Sequence, residues 1–265
     1  MVQHILPLIP SNTQNFVELF CGSAVVSLNI KRARIHLNDL DGNIYNFFKV
    51  LRNEELRFKL CDLLSFSPFD HKTFTEAEEA MKGNDPLQRA WGLMVRNQYS
   101  FGHMCVGWAT NSICTGARTS NFGGVMLKKR DFISSKYFDR FIKLAQIDSR
   151  DALEVLDNLK GREKRFKMFF YADPPYPSTD QKSYEHKYTM DDFENLLKSL
   201  STIKEHKFLL SCFKNDVVEQ YANDNRWYSK SFKQSSGAGI IGEASYKTEM
   251  LYANYPINND LYNDR

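Results

Sequence analysis

The chain reads as an α/β protein: a mostly parallel sheet covered by helices, ending in an antiparallel hairpin and interrupted by an inserted domain. Three observations predict this. Short apolar runs alternate with helical periodicity near the start and again in the second half, the pattern of βα units. The last two β-rich runs, "RWYSKSFKQ" and "YKTEMLYANY", flank the Gly-containing "SSGAGIIGEAS", as a long hairpin does. Between residues 68 and 143 the rhythm lapses into Asn-, Gly-, Ser-, Arg- and aromatic-rich sequence such as "RNQYSFGHMCVGWATN". The expected domains are therefore 1–67 with 144–265, and an insertion at 68–143.

Taken in order, "NFVELF" is a strand punctuated at Gly22, with "SAVVSLNI" expected as the following helix. "ARIHLND" is a second strand ending on an acid, and "GNIYNFFKVLRNEELRFKLCDLL" has helical spacing. Its Phe47, Phe48 and Phe58 belong to a core-facing stripe. "LAQID" is a short third strand and "DALEVLDNL" a helix. "KMFFYAD" is a fourth strand, halted by prolines that cannot extend a ladder. "TMDDFENLLKSLSTI" is an amphipathic helix with Thr189 as N-cap and Asp191 and Asp192 in its first turn. "KFLLSCF" is the fifth strand.

Composition narrows the class. With 265 residues, 42% apolar and 25% charged, the chain has the balance of an ordinary globular protein. No apolar run approaches the roughly 18 residues of a membrane span. "MVQHILPLIPSN" lacks the basic region and cleavage site of a secretory leader, and the five scattered cysteines contain no C-x-x-C. A reduced, cytoplasmic protein without a metal site is expected. The net charge of +3 is unevenly spread. From Pro86 to Lys143 the cations Arg89, Arg96, Arg118, Lys128, Lys129, Arg130, Lys136, Arg140 and Lys143 face only Asp131 and Asp139. Such a concentration suits a phosphate backbone, and equally a solvated basic surface.

Three stretches carry chemistry. In "FVELFCGSAVV" a strand runs into a glycine turn, where a ligand can approach the backbone. The G-x-G-x-x-G set of dinucleotide sites is absent, which leaves a smaller nucleoside-like ligand, with Glu18 suited to an ammonium. Asp39 ends the second strand where doubly wound folds place an acid on ribose hydroxyls, and Asp151 follows the third. Both positions also suit helix caps.

The third stretch, "YADPPYP", is the most specific. An exocyclic base amine is a poor nucleophile because its lone pair is delocalised into the ring. Two acceptors aimed at its hydrogens localise that pair and accommodate the developing positive charge. Asp173 supplies a carboxylate, Pro174 a backbone carbonyl on a rigid turn, and Tyr176 a ring face for an extruded base.

"DPPY" after an apolar strand, preceded by "FVELFCGSAVV" and "NDLDGNIYNFFKVLRN" and followed by "EMLYANY", resembles the Dam-type (D12 class, alpha-group) DNA N6-adenine methyltransferases. Their order of cofactor motif, target-recognition region and catalytic motif is the order here, and "FCGS" is a looser version of the family's F-x-G-x-G. The resemblance implies a Rossmann-like sheet and methyl transfer from S-adenosylmethionine to N6 of a flipped adenine in double-stranded DNA. By position, Glu18 and Gly22 would line the methionine side of the cofactor, Asp39 its ribose and Asp151 its adenine. Asp173 and Pro174 would bind the target amine, with Asp173 also near the cofactor, and Tyr176 would stack on the base. Residues 68–143 would read DNA, with Arg89, Arg96, Asn97, Arg118, Lys128, Lys129 and Arg130 as contacts and specificity near Arg96 to Tyr99. Tyr184 and Tyr188 would sit on a loop closing over the base. No metal is implied; a monomer is expected, with a dimer and a partner restriction endonuclease left open.

Members usually carry a Trp/Pro-x-Gly-x-Lys segment before the helix that reads "MVQHILPLIP", where this sequence starts. The expectation is weakened cofactor affinity, or contacts supplied from elsewhere. Two rival readings fit the same residues: a catalytically weakened DNA-binding protein on the same fold, and an N4-cytosine methyltransferase. The latter more often have Ser at the position of Asp173.

Overall fold

A computed structural model describes residues 1–100, 122–177, 187–235 and 246–257, with the side chains of 122–127, 234, 235, 246 and 247 excepted. It divides into two compact units. One contains Met1–Leu40 and the described residues from Asp148 onward; the other contains the described residues of Asp41–Ile147.

The described residues form a sheet of seven strands, six of them wholly within the first unit. They are β1 (Asn15–Glu18), β2 (Arg34–Asn38), β3 (Gln146–Asp148), β4 (Met168–Ala172), β5 (Lys207–Phe213), β6 (Tyr228–Ser235) and β7 (Tyr246–Ala253), in the order β3-β2-β1-β4-β5-β7-β6. β1 runs parallel to β2 and β4, and β4 parallel to β5. β7 runs antiparallel to β5 and β6, the hairpin that the sequence predicts.

Strand alternation sorts the core. Val17 and Leu19, Phe170 and Ala172, and Phe208, Leu210 and Cys212 pack into one buried cluster with Val155, Leu156, Leu196, Leu197, Leu200 and Val218. Those partners come from the helices Ala152–Lys160, Met190–Ser201 and Asp216–Asp224. Residues one step out of phase form an aromatic layer: Phe16 stacks on Phe169 at 5.7 Å, and Tyr255 meets Phe169 edge-on at 6.0 Å. Each such buried side chain contributes roughly 1.5–3 kcal/mol.

Thr189 caps Met190–Ser201 as expected, in a full capping box with Asp192. Two local expectations need correction. The segment after β1 is not an α-helix but a turn with a single 3-10 turn at Ser27–Asn29. Gly22 (φ +45°) and Ala24 (φ +54°) are left-handed there, and Ser27 is held by the Glu18 carboxylate, so a helical ladder cannot run through them. A helix over Asp216–Asp224 follows β5, capped by Asn215, where sequence reading gave none.

The second unit is helical: Gly42–Arg52, Glu54–Phe66, His71–Lys82, Pro86–Tyr99, Phe122–Ile133 and Lys136–Leu144. It starts at Asp41, whereas the sequence suggested a boundary at 68, because Gly42–Arg52 and Glu54–Phe66 both pack on Pro86–Tyr99. The single helix expected over residues 42–64 is two, divided at Asn53, whose side chain accepts from Leu56 N. His71–Lys82 and Pro86–Tyr99 approach closely at Gly92. A Cβ there would lie 2.4 Å from the Ala77 carbonyl oxygen. Arg57, 2% exposed, donates to Leu51 O at 2.8 Å and Asp139 Oδ1 at 2.6 Å.

Candidate active site

Parallel pairing brings the ends of β1, β2 and β4 together. Glu18 pairs in register with Leu37 on one side and Tyr171 on the other, so the acid of β1 stands beside the strand that ends on Asp173. The turn after β1 is pinned to β2 twice. Cys21 N donates to Asn38 O at 2.8 Å, and Gly22 N donates to Asp39 Oδ2 at 2.8 Å.

Asn38, fully buried, is a member of this site that sequence reading missed. Its side-chain amide donates to Leu19 O and Arg150 O, both at 3.0 Å, and its Oδ1 accepts from Arg150 N at 3.1 Å. It thereby ties the β1 turn to the loop that carries Asp151. Only its place beside Asp39 in "LND" could have signalled it.

Glu18 is 3% exposed and accepts from the Ser27 amide at 3.2 Å and from the Ser27 hydroxyl. Burial pushes its carboxyl up to about 8, against the lowering effect of those two bonds. Asp39 faces the Gly22 turn. Asp151 is exposed and caps Ala152–Lys160 by accepting from Leu153 N at 2.8 Å.

The turn itself explains the looseness of "FCGS". Ala24 stands where the family's second glycine would be, is fully buried, and adopts the left-handed backbone that a glycine would supply. At Gly22 an added Cβ would meet nothing within 4 Å, so the turn is open on that side.

Asp173 follows β4 directly. Burial, then the neighbouring Glu249 charge, push its carboxyl up to about 7, against hydrogen bonds that lower it. Tyr176 Oη lies 3.5 Å from Asp173 Oδ1 and donates to Glu249 Oε1, while its ring leans on Phe213 at 4.1 Å and 35°. Burial also raises the Tyr176 hydroxyl far above its ordinary range, so it stays protonated and can donate. Glu249 of β7 is a second group that sequence reading missed; "TEMLYA" places two polar residues before an apolar run and gives no sign that its acid points inward. Tyr188 packs edge-on against Phe20 at 5.7 Å and donates to Asp192 O at 3.3 Å.

The helical unit holds the remaining expected residues. Arg89 donates twice to Asn43 Oδ1, at 3.1 and 2.9 Å. Arg96 pairs with Glu78 at 3.1 Å, lies 3.8 Å over the Phe74 ring and has 11% of its side chain exposed. Its guanidinium is thus engaged between two helices. Asn97 accepts from Gln98 at 2.7 Å. Lys128 is exposed, Lys129 is partly buried with its pKa lowered by that burial, and Arg130 pairs with Asp131 at 3.0 Å. Arg118, Tyr184 and most of the Gly-containing "SSGAGIIGEAS" lie outside the described residues.

The described cysteines, Cys21, Cys61 and Cys212, are free thiols. Among the described residues no helix is long and apolar enough to cross a membrane.

Comparison with known proteins bears on this arrangement. The family of D12 class N6 adenine-specific DNA methyltransferases matches residues 1–235. The modification methylase StsI of Streptococcus sanguinis is 22% identical over 245 residues, which is 85% of this chain and 35% of that protein. The chain spans about a third of the length of this curated relative. Among solved structures, a precorrin-6y C5,15-methyltransferase from Geobacter metallireducens GS-15 aligns with TM-score 0.35 and 11% identity, over 95% of this chain and 83% of its own. The rRNA methyltransferase aviRa from Streptomyces viridochromogenes aligns with TM-score 0.34 and 12% identity, over 95% and 80%.

Proposed function

The chain belongs to the D12 class N6 adenine-specific DNA methyltransferases, and on that premise we propose that it methylates N6 of adenine at specific sites in double-stranded DNA. The observation that carries this reading is Asp173-Pro174-Pro175-Tyr176 at the end of β4, beside the Glu18 carboxylate of β1.

S-adenosylmethionine, when bound, supplies a methyl group made electrophilic by its sulfonium. The residues around the β1 turn fit it. Gly22 leaves open space over the backbone, and Glu18, Asp39 and Asp173 surround a turn suited to a cationic ligand with hydroxyls. Glu18 and Gly22 would hold the amino-acid end, Asp39 the ribose and Asp151 the adenine.

Asp173 must be ionised to accept from the target amine. Its raised pKa means that this form gains population as pH rises through about 7. With the Asp173 carboxylate on one amine hydrogen and the Pro174 carbonyl on the other, the nitrogen lone pair turns toward the methyl. Tyr176 supplies the stacking surface, its plane set by Phe213. Ser is the usual residue of N4-cytosine enzymes at the position of Asp173, so adenine is favoured.

The insertion, taken as 68–143, would read DNA. Exposed Lys128 and half-buried Arg130 are the natural phosphate contacts, with Arg89, Asn97, Arg118 and Lys129 in the same insertion and Arg96 acting through the helix pair it braces. The relative's designation as a modification methylase supports a partner restriction endonuclease. We place the enzyme in the cytoplasm, as a monomer or a dimer. Labelled methyl from S-adenosylmethionine, incubated with unmethylated genomic DNA, tests the reading. Incorporation by the wild type that is lost in Asp173→Ala is expected; equal incorporation by both would refute the assignment of Asp173.

A further inference from the structure

Glu249 sits inside β7, opposite Phe213 of β5 and Phe232 of β6, and is 2% exposed. A carboxylate withdrawn this far from water is strongly disfavoured unless its oxygens are satisfied. Its described partners are hydroxyls. Tyr176 Oη donates to Oε1, and Ser211 Oγ donates to the same oxygen at 3.2 Å.

The Tyr176 hydroxyl thus stands between two acids. Asp173 Oδ1 is 3.5 Å away, at the edge of hydrogen-bond range, while Glu249 Oε1 accepts from the hydroxyl. If Glu249 did not accept that proton, Asp173 would, and the Asp173 carboxylate would meet its amine already engaged. The same bond fixes the para end of a ring whose face rests on Phe213.

Resting on the proposed methyl transfer to adenine, we propose that Glu249 is a positioning residue. It accepts the Tyr176 hydroxyl, which anchors the para end of the stacking ring and draws that hydroxyl away from the Asp173 carboxylate. Glu249 touches neither the base nor the methyl; it acts through Tyr176. Its charge has a second effect, since it is the largest electrostatic contribution raising the Asp173 carboxyl. The other titratable groups around Asp173 are Glu18 from β1, Tyr171 from β4 and Cys212 from β5.

The test is single-turnover methyl transfer from labelled S-adenosylmethionine into unmethylated genomic DNA, with cofactor affinity measured by calorimetry. Glu249→Ala is expected to lower the rate about tenfold or more with cofactor affinity unchanged, and Glu249→Gln, which keeps an acceptor, to recover most of it. In a Tyr176→Phe background there is no hydroxyl to compete for. There Glu249→Ala should cost less than about threefold further. Equal losses in both backgrounds, or a Glu249→Ala variant at the wild-type rate, would overturn the proposal. Should Glu249→Ala fail to fold, Glu249→Gln decides by its pH profile: the acid limb should move to lower pH, and an unmoved limb overturns the proposal. No transfer by the wild type would overturn the methyl-transfer reading itself, and this one with it.

Discussion

Asp139 in the helical unit accepts from Lys143 at 2.9 Å and from Arg57 at 2.6 Å, and these cations hold its carboxyl below the usual range. Asp173 in the sheet unit has Glu249 for a charged neighbour, and its carboxyl is pushed up to about 7. Glu18, a strand away, is pushed up to about 8. The two regions use acids in opposite ways. Among the helices they are matched by cations and hold the packing in place. At the ends of β1 and β4, Glu18 and Asp173 stand close together with no cation paired to either among the described residues, an arrangement that works against stability and suits an incoming positive charge.

The comparison can be broken by separating activity from stability. Asp173→Asn should lower methyl transfer about 100-fold or more, as loss of a positioned acceptor does. The same variant should melt no lower than the wild type at pH 8, because it removes a charge that burial penalises. A large fall in melting temperature would place Asp173 with Asp139, among acids that stabilise.

Packing should matter more in the helical unit. Gly92→Ala forces a methyl to 2.4 Å from the Ala77 carbonyl oxygen, and overpacking of this kind costs about 1–3 kcal/mol. Denaturant titration should show that loss. An unchanged midpoint would mean that the helices separate without cost.

Stability of the ligand-free protein should fall with pH. Glu18 and Asp173 bind protons more tightly folded than unfolded, so their contribution is fully present below the ordinary carboxylate range. It is lost as pH rises through about 7 for Asp173 and about 8 for Glu18. Melting temperatures between pH 5 and 9 should decline, and Glu18→Gln should flatten the decline. A flat wild-type curve would contradict the burial of these charges.

The smallest effect belongs to Ala24→Gly. Relief of a left-handed alanine, about 1–2 kcal/mol, is offset by loss of a buried methyl worth roughly 0.8 kcal/mol and by a freer unfolded chain. A net change within about 1 kcal/mol is expected by thermal denaturation, and a larger loss would show that the methyl group packs more than it strains.

What could be read from the sequence follows from which forces are local. β4 was legible because five apolar residues end on Asp173 and two prolines, and the Met190–Ser201 helix because Thr189 and Asp192 cap it three residues apart. The 3-10 turn after β1 was not legible, because Glu18 and Ser27 meet across nine residues and periodicity cannot register such a bond. Asp216–Asp224 is short, and its cap at Asn215 lies in a polar stretch that masked it. At the site, Asp173 and Tyr176 stand in one motif, whereas Glu249 reaches them only through the β5–β7 pairing. Arg96 read as a base contact because charge is visible in sequence; that Glu78 and Phe74 enclose it is visible only once the helices are packed.

The most direct test of the account is the chemical identity of the base that the protein modifies. DNA lacking methylated bases would be incubated with the protein and S-adenosylmethionine, digested to nucleosides and resolved by mass spectrometry. N6-methyladenine from the wild type and none from Asp173→Ala is the predicted result. N4-methylcytosine, or N6-methyladenine at equal yield from both proteins, would contradict it.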